Sequence, residues 1–167
     1  MGTKQAVADL EAALAITTAT LGAEHPEIGV EHGNLGAAYA GLRDWAKAEQ
    51  HYRRAVELHD RTLGPEHAMT AMALTGLGQA LVEQKRGTQA IAVLERALAI
   101  DETNHVPPST SAVPRWFLVR ALWETGTSRS RARTLARQAK AELADAADPT
   151  STAVRAELDA WLAAHGN

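Results

Sequence analysis

The sequence has no cysteine, which excludes disulfides, thiolate metal sites and a cysteine nucleophile and suits the chain to a reducing compartment. Aromatic residues are scarce, with a single Phe and two Tyr. Val and Ile are sparse beside Ala and Leu, a bias that favours helices over strands. No apolar run approaches the roughly 20 residues of a membrane span. The opening MGTKQAVADL lacks the apolar stretch of a secretory signal, and it lacks the Ser or Thr that an N-myristoylation motif wants. The formal net charge of −3 gives no general case for nucleic acid. A soluble, cytoplasmic chain is expected.

Patterns that carry chemistry are missing as well. The sequence contains no HExxH, no GxSxG, no Walker A loop and no GxGxxG. Of its seven His, His51 and His59 are eight positions apart, too far for a chelating pair on one helix turn. Pairs of carboxylates such as Glu24 and Glu27 read as solvated groups near helix N-termini. No enzyme activity, metal or cofactor is expected.

What is present is a repeat. LGAEHPEIG at 21–29 returns as LGPEHAMT at 63–70. LEAALAI from Leu10, YRRAVEL from Tyr52 and LERALAI from Leu94 follow at steps of 42. Ala6, Ala48, Ala90 and Ala132 form one column of this register, and Ala13, Ala55, Ala97 and Ala139 form another. Leu35-Gly36 returns as Leu77-Gly78. Apolar and small residues recur at helical spacing within each copy, so each unit reads as a hairpin of helix A and helix B. The small columns allow close helix approach, and one hairpin cannot bury its face alone, so neighbours must stack into a solenoid. The Gly of the LGxEHP turn ends one helix B and Pro26 starts the next helix A. Asp44 and Thr88 are placed to cap the B helices.

The Leu-Gly pair, the aromatic three residues on at Tyr39, and Ala48 and Ala55 resemble the tetratricopeptide repeat (TPR). A second copy carries Leu77-Gly78, Leu81, Ala90 and Ala97. The 42-residue period and the LGxxHP turn resemble the longer kinesin-light-chain type. The resemblance implies an all-α superhelix of antiparallel helix pairs with a C-terminal capping helix. Residues 3–21 would be a lone helix B, 26–63 and 67–104 two repeats, 109–146 a divergent repeat, and 150–165 the cap, started by Pro149 with Thr150 or Ser151. FLVRALWETGTSRSRARTLARQAKAEL followed by AELDAWLAAHG also resembles the TPR tail of large, myxobacterial-type bacterial serine/threonine protein kinases. No Gly-rich loop, HRD-type loop or DFG accompanies it, so a kinase-associated signalling or scaffold segment is implied rather than phosphotransfer.

Three surfaces invite a partner. In the TPR family the A helices line a groove that binds proteins or peptides. The resemblance places that groove on Val30, Gly33, Asn34, Ala37 and Gly41, then on Met72, Thr75, Gln79, Val82 and Glu83, then on Trp116, Arg120, Trp123 and Glu124. Asn34 matches the Asn with which many TPRs hold a peptide backbone, but the next copy has Gly76 there, and the lysines of a carboxylate clamp are missing. Trp116 and Trp123 either face the groove or pack under the cap. The second surface is the basic run of 115–140, which sets seven bases against Glu124 alone. Its patch of Arg129, Arg131, Arg133, Arg137 and Lys140 would meet phosphate or an acidic peptide, or else pair with neighbouring acids. It has no interleaved aromatics to suggest nucleic acid. The third is the apolar stripe Val7, Leu10, Leu14 and Leu21 of the first helix, which lacks its helix A. Either the chain is a fragment of a longer protein or this edge pairs two copies into a homodimer.

Overall fold

The computed structural model describes residues 2–166. Among them are eight α-helices and no strand. They are α1 (Gly2–Leu21), α2 (Pro26–Gly41), α3 (Trp45–Thr62), α4 (Ala68–Glu83), α5 (Gly87–Thr103), α6 (Pro108–Thr125), α7 (Arg129–Glu142) and α8 (Pro149–His165). Each helix packs on its sequence neighbour, and α4 also packs on α6 and α6 on α8. This is an all-α solenoid of antiparallel pairs closed by a final helix.

Local chemistry fixes the helix ends. His25 and His67, one period apart, each cap an A helix through Nδ1, which accepts the backbone N–H of Glu27 at 3.3 Å and of Met69 at 3.2 Å. Asp44 caps α3 by accepting the Lys47 amide. Thr88 does not cap α5: the helix starts at Gly87, so Thr88 lies inside its first turn. At α8 the cap is Asp148, which accepts the Ser151 amide at 2.9 Å, with Pro149 as the first helical residue. Arg43 and Lys85, also one period apart, take left-handed backbone conformations between A and B helices. There Asp44 N–H reaches Tyr39 C=O and Arg86 N–H reaches Leu81 C=O, closing the preceding helix.

The repeated columns are the core. Ala48, Ala55, Ala90, Ala97, Ala132 and Ala139 are all fully buried. A Cβ on Gly36 would stand 2.8 Å from the Tyr52 ring, and one on Gly78 would stand 2.4 Å from Leu94. The Leu-Gly pair therefore buries its Leu while its Gly receives the large side chain of helix B.

The stripe on α1 is not bare. Val7 is buried, and Leu10 and Leu14 pack on the core against α2. Tyr39 of α2 donates to Glu11 of α1, and Thr17 of α1 donates to Glu31 of α2. Of the four residues expected at a self-association edge, only Leu21 is exposed. A different face of α1 is open. Ala6, Ala13 and Ile16 occupy the register positions of Ala48, Ala55 and Leu58, which are fully buried. Ala6 and Ala13 are exposed, and Ile16 is 67% exposed.

Candidate functional site

Five expected groove residues come together. Val30, Gly33, Asn34 and Ala37 of α2 and Met72 of α4 line a cleft of about 220 Å³. Met69 and Ala73 of α4 complete its apolar walls, and Tyr52 and His59 reach it from α3. Met72 stands at its edge, 72% exposed. Helical spacing explains the first row, because positions 30, 33, 34 and 37 share one face of α2.

Tyr52 and His59 were missed because they belong to a B helix. Their route inward is made by glycines. The Tyr52 ring lies against Gly36 on one side and Gly76 on the other, where a Cβ would come within 2.3 Å of it. Gly76 holds the column position of Asn34, so the amide is not repeated because the phenol ring takes its place. Gly29 does the same for His59, whose ring would stand 2.6 Å from an added Cβ. A Gly at these positions, one opposite the repeat's only B-helix Tyr, was the available sequence signal.

His59 is 2% exposed, and neither ring nitrogen has a hydrogen-bond partner. Burial pushes its pKa down, against a smaller upward pull from the Met69 backbone, which lies near the ring but outside hydrogen-bond geometry. The ring is therefore neutral at pH 7, with one donor and one acceptor. Burial likewise pushes the Tyr52 hydroxyl up to about 12, so it stays protonated.

The other expected groove residues do not join the cleft. Gly41 is exposed beyond it, at the end of α2. Thr75 turns its hydroxyl back to the Ala71 carbonyl at 2.9 Å, and Gln79 is half-buried. Val82 is fully buried and belongs to the core, because α5 and α6 cover that face of α4. Glu83 and Arg120 pair with each other at 2.7 Å across α4 and α6, and Glu124 pairs with Lys85 at 2.9 Å. Trp116 is buried under the cap, its indole N–H donating to Glu157 of α8 at 2.7 Å. Trp123 meets the rings of Trp161 and His165 edge-on. The two Trp therefore seat α8 rather than line the cleft.

The basic patch is largely engaged. Arg131 pairs with Glu95, and Lys140 with Asp159, both at 2.5 Å. Arg133 donates to the His165 carbonyl at 2.6 Å and Arg137 to the Gly166 carbonyl at 2.7 Å, so both serve the C-terminal end of α8, where cations are favoured. Arg129 and Arg133 also lie over the Trp123 ring. Arg115 is paired with Glu142.

Among the described residues no group of three or more His, Cys, Asp or Glu is placed to hold a metal ion, and no helix is long and apolar enough to cross a membrane. Two tetratricopeptide repeat models match residues 3–27 and 28–103, an unbroken stretch from α1 to the end of α5. The chain belongs to the tetratricopeptide repeat family. The matched stretch of TPR sequence stops before α6, where the Leu-Gly pair gives way to the Trp-rich face that seats α8.

Solved structures agree with the TPR solenoid. The crystal structure of BtubC (BKLC) from P. vanneervenii superposes with a TM-score of 0.76 at 24% identity, over 88% of this chain and 59% of that one. The present chain thus spans little more than half of BtubC. Two structures of the kinesin light chain nearly identical TPR-like repeats of Podosopora anserina give TM-scores of 0.77 and 0.76 at 25% identity, over 98% of this chain and 79% of theirs. No curated protein matches the sequence.

Proposed function

We propose that this TPR chain is a non-catalytic scaffold module that binds a protein or peptide along the A-helix face, with the cleft between α2 and α4 as its main contact. The observation that carries this is the cleft itself, an apolar recess of about 220 Å³ with an exposed Met at its edge and the Asn34 amide on its wall. Methionine adapts to varied apolar partners, and an amide both donates to and accepts from an extended backbone. The side chains are held by packed helices, so little ordering is required on binding. Selection from a random-peptide display library tests the reading. Peptides should be recovered, and Met72→Glu and Ala37→Glu should each weaken them at least tenfold. Peptides that bind both variants at full strength would place the binding surface elsewhere.

A second reading, a self-associating or regulatory segment of a larger signalling protein such as a bacterial serine/threonine kinase, is favoured by the open face of α1. Ala6, Ala13 and Ile16 hold positions that a helix A covers in the complete hairpins. A helix from a second copy or from a preceding repeat would fit there. Light scattering across a dilution series, with Ile16→Glu as the comparison, separates a dimer through this face from a monomer.

A further inference from the structure

We infer that the groove between the B helices α5 and α7 is a second partner site, separate from the α2–α4 cleft, that receives an arginine side chain against the carboxylates of Asp101 and Glu102.

The groove exists because α5 and α7 do not pack on each other. α6 shows between them as a floor, and the opening measures about 580 Å³. Its lining holds four carboxylates (Glu95, Asp101, Glu102 and Glu142) against two guanidiniums (Arg115 and Arg131), a balance of −2 with His105 counted as neutral. Each guanidinium is taken by one carboxylate: Arg131 pairs with Glu95 at 2.5 Å, and Arg115 pairs with Glu142. Asp101 and Glu102 are left over. Asp101 is only 8% exposed. Its Oδ2 accepts from the Ser111 hydroxyl at 3.0 Å, while its Oδ1 has no hydrogen-bond partner and is not sealed from solvent. Glu102 is exposed on the rim, and its side chain makes no ion pair among the described residues.

This arrangement selects among ligands. Burial pushes the Asp101 pKa up, against the pull of the Ser111 hydrogen bond and the Arg115 charge, so its negative charge is incompletely balanced within the protein. An anion would meet two uncompensated carboxylates. A metal ion does not fit, because no group of three or more His, Cys, Asp or Glu among the described residues is placed to hold one. An organic cation does fit. Leu98, Val106 and Pro108 give an apolar wall for an aliphatic stem, and the charged head then lies at the carboxylates. A guanidinium offers five N–H donors in one plane and is more weakly hydrated than an ammonium, so it loses less on leaving water. The groove is larger than one side chain, which leaves room for the extended segment that carries the arginine.

Nuclear magnetic resonance titration of the full chain at pH 7 tests this with Nα-acetyl-arginine methylamide, its neutral isostere Nα-acetyl-citrulline methylamide, and free putrescine. The arginine probe should shift the amides of Asp101, Glu102 and Ser111 and bind about tenfold more tightly than the citrulline probe, the contribution of a charged hydrogen bond. Asp101→Asn should weaken the arginine probe about tenfold, and Glu102→Gln, on the exposed rim where folding is not at stake, about threefold. Ala99→Lys, exposed on the groove wall, should abolish binding by placing an ammonium there. Met72→Glu, in the α2–α4 cleft, should leave it unchanged. Equal binding of the arginine and citrulline probes, arginine binding that survives both Asp101→Asn and Glu102→Gln, or no arginine binding would each overturn the assignment. Putrescine binding more tightly than the arginine probe would replace the partner side chain by a free polyamine and overturn it too. None of these outcomes bears on peptides selected at the α2–α4 cleft, so the scaffold reading stands or falls separately.

Discussion

The Nδ1 atoms of His32 and His51 lie 3.0 Å apart across the α2–α3 hairpin. One of the two must carry a proton between them, and there is no room for a second proton there. Burial first, then the His51 and Arg54 charges, lower the His32 pKa to about 4. Burial also lowers His51, with Glu11 pulling the other way. In the unfolded chain both titrate near 6.5. Between about pH 6.5 and 4 the unfolded state therefore binds more protons, and stability falls as pH falls through that window. Glu49 adds to the loss at lower pH: burial raises its pKa, but hydrogen bonds from Gln84 and Arg53 and the charges of Arg53 and Arg86 outweigh it and leave it below its ordinary value. Asp101, raised chiefly by burial, opposes the trend weakly. The melting temperature should drop between pH 7.5 and 5.0, and His32→Asn should flatten that drop. An unchanged slope in the variant would remove the pair as its source.

Two glycines three residues apart on α2 should respond to the same substitution with opposite signs. At Gly36 a Cβ would sit 2.8 Å from the Tyr52 ring, which is itself confined by Gly76, so Gly36→Ala should cost about 1–3 kcal/mol despite better helix propensity. At Gly33 nothing lies within 4 Å, so Gly33→Ala should gain about 0.5–1 kcal/mol. Urea melts of the two variants check both signs.

The cap should be separable from the stack. Leu158 of α8 is fully buried, and Val154 beside it is nearly so. Leu158→Ala should cost about 2–5 kcal/mol and loosen α8 first. Three of the four Trp, namely Trp116, Trp123 and Trp161, meet at this junction, so tryptophan emission should report the loosening before far-ultraviolet circular dichroism reports loss of the remaining helices.

The hairpins could be read from the sequence because a 42-residue register repeats the same small and large residues, and close helix packing leaves those columns little freedom. The A-helix side of the cleft followed for the same reason, since Val30, Gly33, Asn34 and Ala37 share a helix face. Three things could not be read this way. Tyr52 and His59 reach the cleft from the B helix through gaps left by glycines on the A helices, which is a relation between helices rather than a column. α8 has no counterpart in the repeat, so its resting place on Trp116 and Trp123 lay outside the register. The basic run gave its charges but not their partners, because Glu95, Asp159 and the final carbonyls of α8 are distant in sequence.

The phenol ring of Tyr52 stands as a wedge between two glycines on successive A helices. A solenoid accumulates the small rotation made at each junction, so one junction's spacing is carried into the sweep of the whole coil. At the next junction Leu94 meets Gly78, and a shorter side chain fills the corresponding place. The two junctions are therefore filled differently: an aromatic ring between two glycines at one, an aliphatic side chain against Gly78 at the other. The recess opens beside the aromatic junction, so the ring that fills the gap between two A helices is also part of the floor between them.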